Sequence, residues 1–197
     1  MNNIDKDIKY IGIENVSASA LANYLLHDNP YTKGQITNLH LQKIIYIIHG
    51  FSLALENLPI INDDYDEKIE AWKLGPVVPS VYHEMKEFGN AIIKPEKISL
   101  LTQEINDNQT IISKPSLSQG SVVRSIAEWV VGKILTVNNK IQDADKLVNF
   151  THLEGSPWHD VYKSGIHNII IDNKSIKEYF IWYKNWLYDT YKVSYTK

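Results

Sequence analysis

The stretch Thr37–Phe51 reads TNLHLQKIIYIIHGF. From Asn38 its spacing predicts a helix of about 20 residues, roughly 30 Å long, with Leu41, Ile44, Ile45, Ile48 and Leu55 on one side and Ile47, Phe51 and Ala54 on the other. A helix that is apolar nearly all round has no face to give to water. It therefore belongs in the middle of a domain, with the other elements packed against it. Gln42 and Lys43 on such a helix either satisfy loop carbonyls or mark its solvent-facing end.

Downstream, Glu70–Gly89 reads EAWKLGPVVPSVYHEMKEFG. Ile69 to Lys73 is strand-like, Gly75 permits backbone angles that other residues resist, and Pro76 and Pro79 fix φ while removing two N–H donors. Val78, preceding Pro79, is pushed toward extended geometry. The stretch predicts a stiff turn presenting Val77 and Val78 as an apolar ridge ahead of a helix with Tyr82, Met85 and Phe88, ended by Gly89. Such a ridge suits recognition, which makes Pro76, Val77, Val78, Pro79 and Tyr82 candidate partner contacts. Trp72 reads as core by preference, and Trp158 is open to either reading.

The remaining elements are punctuated locally. A first helix is predicted from Ser17, burying Leu21, Tyr24 and Leu25 and ending at Asn29-Pro30, after a loosely ordered segment over residues 1–16. Residues 57–68 are acidic and turn-rich, and Asp63, Asp64 and Asp66 read as a solvated loop. Lys97 to Leu101 and Gln109 to Lys114 flank Asn106-Asp107-Asn108, a hairpin with the option of pairing to the strand at Ile69. Ser118 is predicted to cap a helix reaching Leu135, weakened near its end by Gly132. Asp143 starts a short helix closed by Gly155. Ser156-Pro157 opens another, as N-cap and first helical residue, and Gly165 ends it. The last helix, from Ser175, carries Tyr179, Phe180, Trp182, Tyr183, Trp186, Tyr188 and Tyr191, more rings than one core can absorb. Ile176, Tyr179, Phe180, Tyr183 and Leu187 form the predicted buried stripe. Trp182 and Trp186 are left as candidate partner contacts. The fold class is mainly α with a small antiparallel β-sheet, in one compact helical domain over residues 17–197.

Bulk properties narrow the function. The 197 residues carry a formal charge of −3, and Arg124 is the sole arginine. A general basic surface for nucleic acid is therefore not expected. Without cysteine, disulfides, thiolate catalysis and Cys-ligated zinc are excluded. No apolar run approaches the length of a membrane span. A cytoplasmic protein, not bound to membranes, is expected. Catalysis has its best case in His152, Glu154, His159 and Asp160, with His83 and Glu84 as helpers. Gly155 and Ser156-Pro157 interrupt the helix that a His-Glu-x-x-His zinc site needs, so His152 reads instead as a ring near a helix C-terminus. His27, His40, His49 and His167 are too scattered to form a site. No P-loop, dinucleotide loop or G-x-S-x-G elbow is present, and no catalytic residue, metal or cofactor is assigned.

Three segments occur in order: Thr37, Leu39, Leu41, Gln42 and Lys43; Glu70, Ala71, Trp72, Gly75, Pro76, Val77, Pro79, Val81 and Tyr82; and Thr151, His152, Ser156, Pro157 and Trp158. Together they resemble the Panacea domain family of SocA-like antitoxins and phage-associated proteins, over roughly residues 17–187. In that resemblance Leu41, Gln42, Lys43, Trp72, Gly75, His152, Ser156 and Pro157 are scaffold-defining. It implies a non-enzymatic antitoxin that neutralises a protein toxin, typically its operon partner, by direct contact. It also admits a proteolytic adaptor delivering the toxin to a cytosolic protease. From a different class, a phage-associated metal-dependent hydrolase is the remaining alternative.

Overall fold

The computed structural model describes residues 16–61, 67–97, 102–106 and 109–196. The N-terminal segment, the acidic Asp63–Asp66 loop and most of the Lys97–Leu101 strand lie outside those residues.

Helix α2, Asn38–Glu56, is the hub. Thr37 caps its N-terminus through a reciprocal arrangement in which Thr37 Oγ1 accepts from the His40 N–H and His40 Nδ1 accepts from the Thr37 N–H. Histidine here takes the place that Glu or Gln holds in the usual capping box. The all-round apolar pattern is matched by burial from Leu41 through Leu53. Helices α1 (Ala18–His27), α4 (Val122–Trp129), α5 (Ala144–Thr151) and α7 (Asn173–Tyr191) pack around it. Short helices α3 (Pro79–Glu84) and α6 (Pro157–Val161) complete the helical layer. Among the described residues no helix is long and apolar enough to cross a membrane.

Among the described residues the β structure is three separate two-stranded antiparallel ladders: β1 (Glu70–Trp72) with β2 (Gly75–Val77), β3 (Thr102–Asn106) with β4 (Gln109–Ser113), and β5 (Thr136–Val137) with β6 (Lys140–Ile141). The hairpin anticipated around Asn106–Asn108 is present, but its first strand is Thr102–Asn106 and it does not join β1. The free edge of β1 is met instead by the chain leading into α7: the Ala71 N–H donates to Ile169 O at 2.7 Å and the Ile171 N–H to Ile69 O at 2.9 Å.

Two helix ends also differ from expectation. Ser121, not Ser118, caps α4, its Oγ accepting from the Arg124 N–H at 3.1 Å. Ser118 closes a turn onto Ser121 before it. From Val130 to Leu135 the helix widens to π geometry, and the Thr136 hydroxyl donates to the Val131 carbonyl at 2.6 Å, satisfying one of the acceptors this leaves. Helix α6 stops at Val161, before Gly165.

His49, which showed no pattern in the sequence, is a buried tie. Its Nδ1 accepts from the Ile60 and Ile61 N–H groups, and its Nε2 meets Asn173 Oδ1 at 2.7 Å. Burial holds the ring's pKa down at about 4, so it stays neutral and keeps Nδ1 as an acceptor.

Packing is close where α7 crosses α2. A Cβ on Gly50 would lie 2.2 Å from the Phe180 ring, and Phe180 is itself locked edge-on against Phe51 and Tyr46. Gly50→Ala is expected to destabilise the fold by about 2 kcal/mol despite alanine's better helix propensity, because overpacking outweighs that gain. Urea unfolding checks this, and a stabilised variant would show that α7 shifts freely on α2.

Candidate functional site

The three sequence motifs meet at one junction. Pro76 and Pro79 carry no N–H, but the turn between them still has a carbonyl and an N–H to satisfy. Helix α2 supplies both: Lys43 Nζ donates to Pro76 O at 2.7 Å, and Gln42 Oε1 accepts from the Val78 N–H at 2.9 Å. Gln42 Nε2 is in turn fixed by Asn38 Oδ1, and Asn38 Nδ2 donates to Tyr82 O. Of the two roles open to Gln42 and Lys43, satisfaction of the loop is the one observed. Lys43 is fully buried, and desolvation pulls its pKa down to about 7.

Gly75 makes this approach possible. Its φ is +103°, and a Cβ there would lie 2.7 Å from Thr151 Oγ1 and 2.9 Å from Lys43 Nζ. The third motif closes on the same point. Ser156 caps α6, its Oγ accepting from the His159 N–H and donating to Thr151 O at 2.8 Å. Trp158 donates its indole N–H to Trp72 O at 2.8 Å, and its ring is stacked with His152 at 3.6 Å between centroids and with Tyr162 at 4.6 Å. Burial and the adjacent Lys43 and His159 lower the His152 pKa, which disfavours the imidazolium that its helix-end position suggested. The motif residues thus form a packed joint.

That joint corrects the expectation for the proline turn. Pro76, Val77 and Val78 are buried, and Trp158 is 6% exposed, so none of them offers a face to a partner. Val78 joins the core because the Gln42 anchor pulls the turn onto α2. Pro79, Trp72 and Tyr82 are half-buried, with Trp72 and Tyr82 edge-to-face at 4.8 Å. The catalytic grouping is dispersed as well. His159 and Asp160 approach to 3.6 Å, but among the described residues no three His, Cys, Asp or Glu side chains converge as metal ligation requires.

Among the described residues the exposed aromatic surface lies on α7. Ile176, Phe180 and Leu187 are the buried stripe, whereas Tyr179 and Tyr183 are only half-buried. Trp182 is 56% exposed, Trp186 39% and Tyr191 62%. The rings form a continuous series: Tyr179 contacts Trp182 at 5.6 Å, Tyr183 stacks on Trp186 at 5.5 Å, and Trp186 meets Tyr191 edge-on at 5.4 Å. Burial pushes the Tyr179 phenol up to about 12. Beside Trp182, α6 and α7 border an open groove of about 380 Å³ that also includes Glu154, Asp160 and Glu178. Sequence reasoning left Glu178 without a role. The visible signal was its helical spacing, since Ser175, Glu178, Tyr179 and Trp182 fall at i, i+3, i+4 and i+7 and so share one face.

Comparison with known proteins agrees with the motif order. The family model described as "Antitoxin SocA-like, Panacea domain" matches residues 41–159. The chain is 34% identical over 152 residues to the protein named Antitoxin SocA of Caulobacter vibrioides (strain NA1000 / CB15N), a match covering 77% of this chain and 73% of that one. No solved structure matches it. The joint of Lys43, Gly75 and Trp158 falls within the matched span, and on these similarities the chain belongs to the SocA-like, Panacea-domain antitoxin family.

Proposed function

We propose that this protein is an antitoxin that neutralises a protein toxin by direct binding, with α7 as the contact surface. The observation that carries the reading is the exposed ring series Trp182, Trp186 and Tyr191 on a helix whose opposite face is anchored in the core. Large rigid aromatics held by a packed scaffold lose little conformational freedom on association, and they are the residues on which binding energy concentrates. The motif joint stabilises that scaffold, and the contacts themselves fall to Trp182 and Trp186. Of the other sequence candidates, Pro79 and Tyr82 keep partial exposure and form a secondary contact region at most.

The test is co-expression with each adjacent gene in a bacterial host. Growth arrest by one neighbour, relieved by this chain with recovery of a stable complex, is the expected result. The Trp182→Ala, Trp186→Ala double variant should fold normally yet bind its partner at least about 30-fold more weakly, the loss of roughly 2 kcal/mol that interface aromatics carry. Unchanged binding by that variant would remove α7 from the interface. Neutralisation by purified components would support direct inhibition. Relief that appears only in cells containing a particular cytosolic protease would support the adaptor reading instead.

A further inference from the structure

The groove between α6 and the N-terminal half of α7 has a composition suited to one kind of occupant. Its apolar lining is Pro157, Tyr179 and the exposed Trp182, and its charged lining is Glu154, Asp160 and Glu178, with no lysine or arginine among the lining residues. Asp160 has the exposed His159 ring at 3.6 Å, while Glu154 and Glu178 make no ion pair among the described residues. The Tyr179 ring lines the groove, while its hydroxyl is buried away from solvent and has no hydrogen-bond partner among the described residues.

We propose that this groove seats a basic side chain of the protein partner, arginine by preference, packed on Trp182 among the three carboxylates. The inference rests on the partner-binding reading and specifies the chemistry of the partner at that surface. A bare metal ion does not fit, because the carboxylates do not converge closely enough to share one. An apolar side chain would leave Glu154 and Glu178 without compensation on a surface that association dries. Arginine meets both requirements: its methylene stem and planar guanidinium lie against an indole face, and its fork of donors reaches carboxylates on different sides. The groove is continuous with the ring series of α7 through the Tyr179–Trp182 contact. The charged and aromatic parts therefore make one surface, in which the aromatics hold the partner and the carboxylates select for a basic residue.

A peptide probe tests the site without the partner. The indole N–H resonance of Trp182, assigned with the Trp182→Phe variant, is followed by NMR while acetyl-Ala-Arg-Ala-amide is added, with the citrulline peptide as a neutral isostere. The arginine peptide should shift this resonance saturably in the millimolar range, and the citrulline peptide should bind at least about tenfold more weakly, since two or three exposed charge pairs are lost. Glu154→Lys with Glu178→Lys, both at exposed positions, should abolish the shift while leaving the melting temperature unchanged. Absence of a saturable shift, or equal shifts from both peptides, overturns the proposal. With the co-expressed toxin, the same double variant should weaken the complex by about 10-fold or more. If wild-type protein neutralises the toxin and the double variant does so equally well, the groove proposal fails while the antitoxin reading stands. If wild-type protein neutralises neither neighbour yet binds the arginine peptide selectively, the antitoxin reading fails and the basic-residue site stands.

Discussion

Trp158→Ala should destabilise the protein by about 3–5 kcal/mol, the range for removing a large buried aromatic. Two independent losses combine. The side chain is 6% exposed and joins the core cluster, so its removal leaves a cavity bounded by His152 and Tyr162, both of which stack on it. Its N–H is also the donor to Trp72 O, a contact spanning 86 residues of chain that ties α6 to the end of β1. Trp158→Phe separates the contributions. It keeps much of the apolar area but leaves the Trp72 carbonyl short of a donor, an expected cost of about 1–3 kcal/mol. For a chain of this length the alanine variant should melt about 10 °C or more below wild type. A loss under about 1 kcal/mol would mean that the α6 segment can detach without disturbing the rest, and the motif joint would then have no structural claim. The phenylalanine variant, where folded, should retain partner affinity, because the surface assigned to binding is on α7.

The contrast between Trp158 and Trp182 shows what the sequence could convey. Both are tryptophans on helices, and both are candidates for the surface on sequence alone. Local signals were sufficient to locate the helices, though not the start of α4 or the end of α6. The apolar pattern on nearly all sides of Asn38 to Phe51 required a central position, and Ser17, Ser156 and Pro157 carry capping chemistry that acts within four residues. The pairings that decide burial act at long range. Nothing near Val78 indicates that Gln42 will accept its N–H, and nothing near Trp158 indicates the Trp72 carbonyl. The proline turn was therefore legible as stiff but not as inward-facing. The same limit applies to β1, whose edge is claimed by Ile169 and Ile171 and not by the hairpin. It applies again to Val130–Leu135, where the regular helical pattern of the sequence gives way to π geometry. On α7 the period marked Ile176, Phe180 and Leu187 as core, while the half-burial of Tyr179 and Tyr183 depends on how far α5 and α6 extend over them.

Lys43 should give the folding stability an alkaline slope. The amine is buried, its one hydrogen bond among the described residues goes to the Pro76 carbonyl, and no carboxylate pairs with it there. Thr151 and Gly75 border it, and the ionisable group that interacts with it is His152, itself held toward neutrality. Desolvation lowers its pKa from 10.5 to about 7. Between those values the unfolded chain holds a proton that the folded chain has released, so stability rises as pH increases from about 7 toward 10.5. The slope from this one group is at most about 1.4 kcal/mol per pH unit, and the accumulated gain is on the order of 5 kcal/mol. Below pH 7 the amine is protonated in both states, and the full cost of burying the charge is present. Above about pH 10 the tyrosines act in the opposite direction. Burial raises the pKa of Tyr24, Tyr46 and Tyr179, so the unfolded chain loses protons first and stability declines. A maximum near pH 10 is therefore expected in urea unfolding measured across pH. Lys43→Met removes the titrating group at similar volume and should flatten the rise between pH 7 and 10, at the expense of an unsatisfied Pro76 carbonyl. Equal slopes in wild type and Lys43→Met would show that Lys43 keeps its charge in the folded protein, and the joint would then need a counter-charge or water at Nζ.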